Sequence, residues 1–252
     1  MKLPPPPWIV GHRGAAGERL ENTLASFRRA VDEGADMVEV DVQLTRDRRL
    51  AVVHDLDLRR LARRRIVVER AALADLQAER LDETDEEARI PELDAALDAL
   101  PPGFPVNVEI KRWSAPRPLL AEAVAAALAG RANVLVSSFD WVLLAEMKRR
   151  APHLPLAPLS EDDATGLLAA GRELGAWGLH CHRRLASREL AAAARDAGRP
   201  LLAYTVNDPA EARRLLALGL SGLFTDFPGG LREALASGAA RDGAGGGAPL
   251  RP

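Results

Sequence analysis

Short apolar runs rich in valine, isoleucine and leucine alternate along the chain with longer segments whose apolar residues recur at helical spacing. A short apolar run between turn residues is typical of a strand buried in a parallel sheet, and a longer periodic segment is typical of an amphipathic helix. The predicted strands are residues 8–10, 37–42, 106–110, 134–137, 154–159, 177–180, 201–206 and 221–225. The predicted helices are residues 22–33, 91–100, 119–129, 140–151, 162–174, 187–197, 209–218 and 230–236.

Strands that alternate with helices indicate βαβ units and a parallel sheet. Eight such strands with trailing helices match the number in a (β/α)₈ TIM barrel, which is the fold predicted here. An open doubly wound sheet has the same alternation and is the alternative. The boundaries carry suitable signals, because Asp208 precedes Pro209 at a predicted helix start and Gly198 stands where a helix must end.

Two segments interrupt the alternation. Residues 55–90, after the second strand, are rich in charge and contain a predicted helix near 69–80, so we expect a small insertion over one mouth of the barrel. Residues 237–252 are rich in glycine and alanine, which bury little apolar surface, and this tail is expected to be disordered. The sequence therefore predicts one domain, residues 1–236, that includes the insertion.

The composition narrows the classes of protein to which the chain can belong. Its 252 residues, 47% hydrophobic and 28% charged, are typical of a globular protein, and the net charge of −2 argues against a nucleic-acid partner. The one cysteine, Cys181, excludes an intramolecular disulfide and a zinc site built from several thiolates. Prolines interrupt the first residues, and no run of about 18 apolar residues occurs. We expect a cytoplasmic protein without a stable membrane anchor, and the sequence does not specify its oligomeric state.

Two predicted strands carry acidic residues where a closed barrel favours apolar ones. In residues 37–42 the valines face one side and Glu39 and Asp41 the other, because side chains alternate along a strand. In residues 106–110 Glu109 likewise faces away from the valines, and Lys111 follows on the same side. We expect the valines to pack against the helices and the carboxylates to point into the barrel, toward the strand ends where TIM-barrel active sites lie.

Three carboxylates that converge inside a barrel require a compensating cation. Lys111 supplies one charge. A hard divalent ion that prefers oxygen ligands, Mg²⁺ or Ca²⁺ with Mn²⁺ as a further alternative, suits Glu39, Asp41 and Glu109 better than zinc does. The alternative without a metal is an internal ion-pair network, such as Lys111 with Glu39. The same pattern on two neighbouring strands favours the metal site.

Two histidines stand at comparable positions. His12 closes the first predicted strand, and His54 closes a short apolar run soon after the second. Histidine is the side chain best suited to proton transfer near neutral pH, so the two rings suit a base and an acid on opposite sides of one centre. Either histidine alone would be interpreted as a structural residue at the end of a strand, but the three acids nearby favour a catalytic role for both. Asp55 follows His54 directly and is expected to face away from that ring.

Arg13 and Lys111 add fixed positive charge beside the predicted metal site. The planar guanidinium fits phosphate oxygens, and the lysine supplies a point charge. A metal, these two cations and two histidines together indicate phosphoryl transfer on an anionic small molecule. The chain lacks the Gly-x-x-x-x-Gly-Lys-Ser/Thr loop, so we do not expect a nucleotide triphosphatase.

Several short motifs, taken in order along the chain, resemble those of the glycerophosphodiester phosphodiesterase family, most closely its bacterial cytoplasmic members. They are His12-Arg13-Gly14, Glu21-Asn22-Thr23, Glu39-Val40-Asp41-Val42-Gln43-Leu44-Thr45, His54-Asp55, Glu109-Ile110-Lys111, Ser137-Ser138-Phe139, Tyr204-Thr205-Val206-Asn207 and Phe224-Thr225-Asp226. Two features depart from the family pattern. Leu20 stands where the family usually has proline, and the insertion after His54-Asp55 is shorter and more basic than usual, which leaves the selection of the substrate group open.

The resemblance implies a (β/α)₈ barrel with a small insertion after the second strand. It implies a metal-dependent hydrolase of lipid and glycerol metabolism that converts glycerophosphodiesters to sn-glycerol 3-phosphate and an alcohol. The attacking group is water, or the glycerol 2-hydroxyl through a cyclic phosphate. The site residues that it implies are His12 and His54 for acid–base catalysis, Glu39, Asp41 and Glu109 for the metal, and Arg13, Lys111 and His180 for the substrate.

Two other functions are compatible with the same barrel. Hydrolysis of lysophospholipids, a lysophospholipase D activity, is suggested by residues 66–68 and the arginines of the insertion, which suit an amphiphile. A barrel that binds a phosphorylated ligand without catalysis is the other, and the presence of every acid and both histidines argues against it.

The arginines at residues 59–65 have two interpretations. They form a solvated face of the insertion paired with Glu69 and nearby acids, or they attract anionic substrates. Phe139 and Trp141 follow the fourth predicted strand and also have two interpretations: contact with the glycerol or headgroup, or packing in the core.

Overall fold

A closed barrel of parallel strands dominates the computed structural model, which describes residues 2–82 and 88–243, with side chains to residue 237. The strands within these residues are β1 (Trp8–Gly11), β2 (Met37–Leu44), β3 (Leu50–Val52), β4 (Val106–Ile110), β5 (Val134–Ser138), β6 (Leu156–Ser160), β7 (Leu179–His182), β8 (Leu201–Tyr204) and β9 (Gly222–Thr225). Their order is β1-β9-β8-β7-β6-β5-β4-β2-β3, and Val10 of β1 also lies opposite Met37 of β2. This last pairing closes the sheet. The TIM-barrel prediction is therefore confirmed, and the open-sheet alternative is wrong.

Helices follow the strands, and all but α2 and α3 cover the outside of the barrel. They are α1 (Leu24–Asp32), α2 (Arg59–Ala62), α3 (Leu73–Ala78), α4 (Leu93–Asp98), α5 (Arg117–Ala127), α6 (Trp141–Arg150), α7 (Ala164–Leu174), α8 (Arg188–Asp196), α9 (Pro209–Ala217) and α10 (Pro228–Gly243). Several begin one or two residues later than predicted because the predicted start includes the capping residue. Thr23, for example, accepts the backbone N–H of Ser26 and stands just outside α1.

Side-chain alternation along the strands separates two apolar regions. Val38, Val40 and Val42 of β2 point outward and pack with the surrounding helices. The inward apolar residues form a plug that fills the barrel below the acidic layer. The plug consists of Trp8, Val10, Met37, Leu135, Ala157, Leu202 and Phe224. The carboxylates thus lie between a dry plug and the open mouth.

The segment between β3 and α4 forms a small layer beside the mouth. It contains α2, a 3₁₀ turn at Val68–Arg70 and α3, and it buries Leu58 and Leu76 in its own apolar cluster. The helix predicted near 69–80 is therefore two shorter pieces. The break occurs because the backbone is extended at Ala71, with φ of −100° and ψ of 153°.

Other boundaries also differ from the sequence predictions. Strands β6 and β7 begin two residues later than expected because the turns after the preceding helices extend to residues 155 and 178. Helix α10 continues to Gly243, so the first residues of the expected tail at 237–252 are helical, and residues 244–252 lie outside the described range. No helix in the described part of the chain is long and apolar enough to cross a bilayer.

Candidate active site

Three buried carboxylates meet on the inner wall of the barrel at the carboxyl ends of β2 and β4. The parallel register sets Asp41 opposite Glu109 and places Glu39 one inward position below, opposite Asn107. One carboxylate oxygen from each acid lies within 4.8 Å of the other two. The three acids therefore converge inside the barrel, as the alternation of side chains along the two strands predicted.

The acids have the character of a cation site. Oε1 of Glu39 is buried and has no hydrogen-bond partner among the described residues. Burial, and then the negative charges of Asp41 and Glu109, raise the pKa of Glu39 well above its ordinary value. A buried carboxylate oxygen without a partner, next to two further acids, fits a hard divalent cation with oxygen ligands.

Two side-chain cations already lie against these acids. Nζ of Lys111 is 3.2 Å from Asp41 and also contacts Glu109, and Nε of Arg13 is 3.2 Å from Asp41. Burial opposes ionisation of Asp41, but the two cations outweigh it and hold its pKa below the ordinary value. The expected Lys111–Glu39 pair is thus replaced by pairs to Asp41 and Glu109. Three carboxylates against two cations leave negative charge for a metal.

The turn after β1 ties Arg13 to the acidic layer. Arg13 has a left-handed backbone with φ of 55°, and its N–H donates to Oε2 of Glu39 at 2.7 Å. Its guanidinium donates to Glu21 at 2.8 Å. Asn22, which follows, donates to Asp41 at 2.9 Å and accepts the Asp41 N–H at 3.2 Å. The motif residues Glu21 and Asn22 thus act as supports for the site.

His12 lies at the mouth beside an acid from the other end of the chain. Nδ1 of His12 is 2.7 Å from Oδ1 of Asp226, and Oδ2 of Asp226 accepts a hydrogen bond from Asn207 at 2.6 Å. Burial opposes ionisation of Asp226, but the hydrogen bond and charge of His12 lower its pKa. An ionised carboxylate only accepts hydrogen bonds, so Nδ1 carries the hydrogen and Nε2 is left for proton transfer.

His54 has the same kind of support, but from its immediate neighbour. Its Nδ1 is 2.8 Å from Oδ1 of Asp55, so the expectation that Asp55 faces away is wrong. The chain bends after Val53 instead of staying extended, because the amide of Gln43 donates to the carbonyls of Val53, His54 and Asp55. Burial is the main cause of a lowered pKa of His54.

Arg60 joins the insertion to both halves of the mouth. Its Nε donates to Asp55 at 2.6 Å, and its two terminal nitrogens donate to Glu21 at 2.8 and 2.6 Å. Since Glu21 also binds Arg13, a continuous series of charged contacts runs from His54 to Arg13. Arg60 therefore belongs to the site, although the sequence offered it only as one member of an arginine cluster.

Other arginines of the cluster form ion pairs on the surface of the insertion. Arg59 pairs with Asp57 at 2.7 Å and Arg64 with Glu79 at 3.5 Å. Glu69, the expected partner of the cluster, instead accepts the backbone N–H groups of Trp113 and Ser114. The cluster thus pairs with nearby acids, as one of the two interpretations expected, but Glu69 is not one of them.

His180 does not lie at the mouth, which corrects the expectation from the family resemblance. It is fully buried on β7, level with Leu202 of the plug, and its ring centroid is 4.9 Å from that of Phe224. Neither ring nitrogen has a hydrogen-bond partner among the described residues, and burial lowers its pKa to about 3. The buried, neutral ring packs against Phe224, and His180 is not among the residues that line the small pocket or the groove.

Two connected cavities open at the mouth. The first, called here the small pocket, has a volume of about 100 Å³ and is lined by His12, His54, Glu109, Lys111, Phe139, Leu159, Glu161, Tyr204 and Phe224. The second, called here the groove, has a volume of about 680 Å³. It is lined by His54, Ile110, Lys111, Arg112, Trp113, Arg117, Ser138, Phe139, Asp140, Trp141, Val142 and Glu161. Phe139 and Trp141 thus face the mouth, as one of the two interpretations expected.

Comparisons with known proteins agree with this geometry. Residues 12–230 match the model of the Glycerophosphoryl diester phosphodiesterase family. A glycerophosphodiester phosphodiesterase of Bacillus altitudinis is 32% identical over 231 residues, which cover 87% of this chain and 94% of that protein. A lysophospholipase D of Homo sapiens is 36% identical over 112 residues, which cover 40% of this chain and 35% of that protein.

Solved structures show the same fold. A phosphodiesterase from Oleispira antarctica, in complex with the product sn-glycerol-3-phosphate, superposes with a TM-score of 0.86 at 26% identity, covering 92% of this chain and 97% of that one. A glycerophosphodiester phosphodiesterase from Thermotoga maritima superposes with a TM-score of 0.76 at 25% identity, covering 89% and 96%.

Proposed function

Because this chain belongs to the glycerophosphoryl diester phosphodiesterase family, we propose that the mouth of its barrel hydrolyses glycerophosphodiesters to sn-glycerol 3-phosphate and an alcohol. The observation that carries the proposal is the convergence at one mouth of three buried acids, two cations and two carboxylate-supported histidines. Each of these groups has a use in cleaving a phosphate ester, and no other mouth of the barrel combines them within the described residues.

Glu39, Asp41 and Glu109 would hold the divalent metal, with Mg²⁺ or Ca²⁺ as the first candidates and Mn²⁺ as the next. When bound, such an ion supplies positive charge that stabilises the phosphate as negative charge develops on its oxygens. The buried and unpaired Oε1 of Glu39 supports this assignment.

Arg13 and Lys111 would hold the remaining phosphate oxygens. Each spends only part of its donor capacity on the acids, since a guanidinium has five N–H groups and an ammonium has three. The contacts to Asp41 fix both heads at the mouth before substrate arrives, which reduces the entropy lost on binding.

His12 and His54 would move the protons. One ring takes the proton of the attacking hydroxyl as the new oxygen–phosphorus bond forms. The bond from phosphorus to the alcohol oxygen then breaks, and the other ring gives its proton to that oxygen. The attacking group is water, or the glycerol 2-hydroxyl, in which case a cyclic phosphate forms and is hydrolysed in a second round. Trapping a cyclic glycerophosphate distinguishes the two routes.

Replacing either histidine tests these roles. We expect His12→Ala and His54→Ala each to lower turnover by about 10²-fold or more, because each removes a proton-transfer group. His153→Ala is the control, since His153 lies on the exposed α6–β6 turn outside both cavities. Turnover close to wild type in either site variant, with a folded protein by circular dichroism, would remove that histidine from the mechanism.

The decisive assay is release of sn-glycerol 3-phosphate from several glycerophosphodiesters, with Mg²⁺, Ca²⁺ and Mn²⁺ added in turn to chelator-treated enzyme. We expect activity to disappear with the chelator and to return with at least one ion. Binding of glycerol phosphate without turnover under every ion would favour the non-catalytic barrel instead.

Hydrolysis of lysophospholipids is the second candidate. The apolar groove beside the catalytic groups favours it, as does the partial match to a lysophospholipase D. Comparing turnover of glycerophosphocholine with that of lysophosphatidylcholine separates the two activities, and we rank the first higher because its relatives match most of the chain.

We also propose that the enzyme works in the cytoplasm. The support is the single cysteine, Cys181, which is buried and free, as is usual for a reducing compartment. Fractionation of cells that express the full chain tests this location.

A further inference from the structure

The groove continues directly from the catalytic pocket. His54, Lys111, Phe139 and Glu161 line both cavities, so the groove lies directly beside the pocket that contains both histidines. His12, in contrast, lines only the small pocket. The groove therefore extends from the His54 side of the reacting phosphate.

Much of the exposed surface of the groove is apolar, although charged residues also line it. Trp113, Phe139 and Val142 are 49%, 41% and 63% exposed, and these three are among only five large apolar side chains exposed in the described residues. Large apolar groups gathered on one exposed surface, next to polar catalytic groups, are typical of a ligand site.

The charges of the groove are largely matched by neighbours. Nε of Arg112 and Nε of Arg117 both bind Asp140, at 2.5 and 2.8 Å, and Lys111 is held by the acids of the site. Glu161, at the junction with the small pocket, is exposed and has no ion pair in the described residues. What the groove offers along its length is apolar contact.

The walls are preformed. The loop that carries Trp113 is fixed to the insertion, since Glu69 accepts the N–H groups of Trp113 at 3.0 Å and Ser114 at 2.8 Å. On the opposite wall, the indole N–H of Trp141 donates to the carbonyl of Leu159 at 2.9 Å. The Trp141 indole and the backbone that carries Trp113 are thus held in place, so a ligand does not need to order them.

The two cavities differ in size in a way that assigns them to the two sides of a phosphodiester. The small pocket, at about 100 Å³, suits the compact glycerol group, whereas the groove is several times larger. We propose that the groove binds the leaving alcohol and that this enzyme prefers glycerophosphodiesters whose alcohol is a bulky apolar group. This proposal rests on the proposed phosphodiesterase activity and adds the class of alcohol to it.

A series of synthetic substrates tests the preference. The series consists of sn-glycerol 3-phosphate esters of methanol, butanol, hexanol and 2-phenylethanol, assayed below their micelle-forming concentrations for release of sn-glycerol 3-phosphate. Full burial of one methylene is worth about fourfold in an equilibrium, so a groove open on one side should give about twofold in kcat/KM per methylene up to hexyl. The gain should appear mainly in KM, because the contacts are made before bond breaking.

Substitutions at Val142 test the location. Val142 lies in the first turn of α6, where an acidic residue is compatible with the helix dipole, so Val142→Asp should fold. We expect V142D to remove most of the gain from methyl to hexyl while leaving kcat/KM of the methyl ester within about twofold. The matched control V142L keeps an apolar side chain and should keep the gain.

Several outcomes overturn the proposal. One is equal kcat/KM for the methyl and hexyl esters, and another is a hexyl gain that V142D leaves unchanged. A third is a chain-length gain that occurs only when the chain is an acyl group on the glycerol, as in lysophosphatidylcholine, which would assign the groove to the glycerol side. Absence of turnover with every ester, including methyl, would instead count against the phosphodiesterase activity itself.

Discussion

The two histidines proposed to be catalytic differ in how their supporting carboxylates are held. Asp226, beside His12, is held by the neutral amide of Asn207. Asp55, beside His54, also binds the guanidinium of Arg60. A carboxylate shared with an arginine has less negative charge to offer its histidine than one held by an amide. The carboxylate that supports His12 is therefore more strongly negative than the one that supports His54.

Replacing Asp226 tests that support. Asp226→Asn keeps the shape but introduces an amide that can donate to Nδ1, which permits the wrong tautomer of His12. We expect kcat to fall by about 10²-fold with little change in KM. Asp162→Asn, an exposed acid on the β6–α7 loop, is the control and should leave kcat unchanged. An unchanged kcat in D226N would show that His12 keeps its tautomer without the carboxylate.

For single residues, the sequence predicts which side of a strand a side chain faces, because side chains alternate. It does not predict contacts that depend on strand register or on bends in the chain. Glu39, Asp41 and Glu109 could be placed inside the barrel from a period of two. The pairing of His12 with Asp226 joins residues 214 positions apart and has no local signal beyond the motif around Asp226. His180 also faces inward, but its height in the barrel depends on the offsets between strands, which the sequence does not show.

The junction between β1 and α1 is the most constrained connection at the site. Gly14 has φ of +86°, and a Cβ there would lie 2.6 Å from the carbonyl carbon of Ser26 in α1. The strand and helix thus approach too closely for any side chain. The position of Arg13, and so of its contact with Glu39, depends on this approach.

Gly14→Ala should therefore destabilise the protein by about 3 kcal/mol or more, since it adds a steric clash to a strained backbone. Gly130→Ala is the matched control. Gly130 has φ of +78°, but no atom lies within 4 Å of the point that a Cβ would occupy, so only the backbone cost of about 1 kcal/mol applies. Denaturant unfolding measures both values, and equal losses would contradict the close approach.

The insertion acts on the site through one residue of α2. Arg60→Ala should lower kcat/KM about tenfold, because Asp55 and Glu21 lose the partner that fixes them toward His54 and Arg13. Arg64→Ala, in the same cluster but with Glu79 as its one ion-pair partner among the described residues, is the control and should have almost no effect. If the two variants are equally active, the insertion does not position the site.

Whether a strand or helix can be predicted from the spacing of its apolar residues depends on its length. Each of the eight barrel strands has at least one face of apolar residues, and the sequence predicts all eight. Strand β3 has three residues and follows a tight turn at 45–49, so it offers too few positions for a period to appear. The single helix expected near 69–80 failed for the opposite reason, since its apolar spacing continues across the extended Ala71.

Closure of the barrel makes the site a property of the whole molecule. The acids come from β2 and β4, His12 from the residue after β1, and Asp226 from the residue after β9, so strands from both ends of the chain must be in register before the site exists. A ligand of the acids therefore binds the folded state and not the unfolded chain. Metal binding should accordingly raise the melting temperature.

The size of that increase should depend on pH. Without metal, folded Glu39 keeps a proton that the unfolded chain releases above its ordinary pKa, because its folded pKa is raised. The metal-free protein thus loses stability as pH rises from about 4.3 toward the raised pKa. A metal must displace that proton, so its affinity rises over the same range.

We expect Mg²⁺ or Ca²⁺ to raise Tm by several degrees at about pH 8 and by much less at about pH 5.5, since an ion at about 100 times its Kd adds about 2.7 kcal/mol. Differential scanning fluorimetry with and without chelator measures the difference. Glu39→Gln removes both the proton and a ligand, so its Tm should respond weakly to metal at either pH. An equal increase at both pH values in the wild-type protein would mean that metal binding does not compete with the proton on Glu39. No increase at either pH would leave the three acids as an ion-pair network with Arg13 and Lys111 alone.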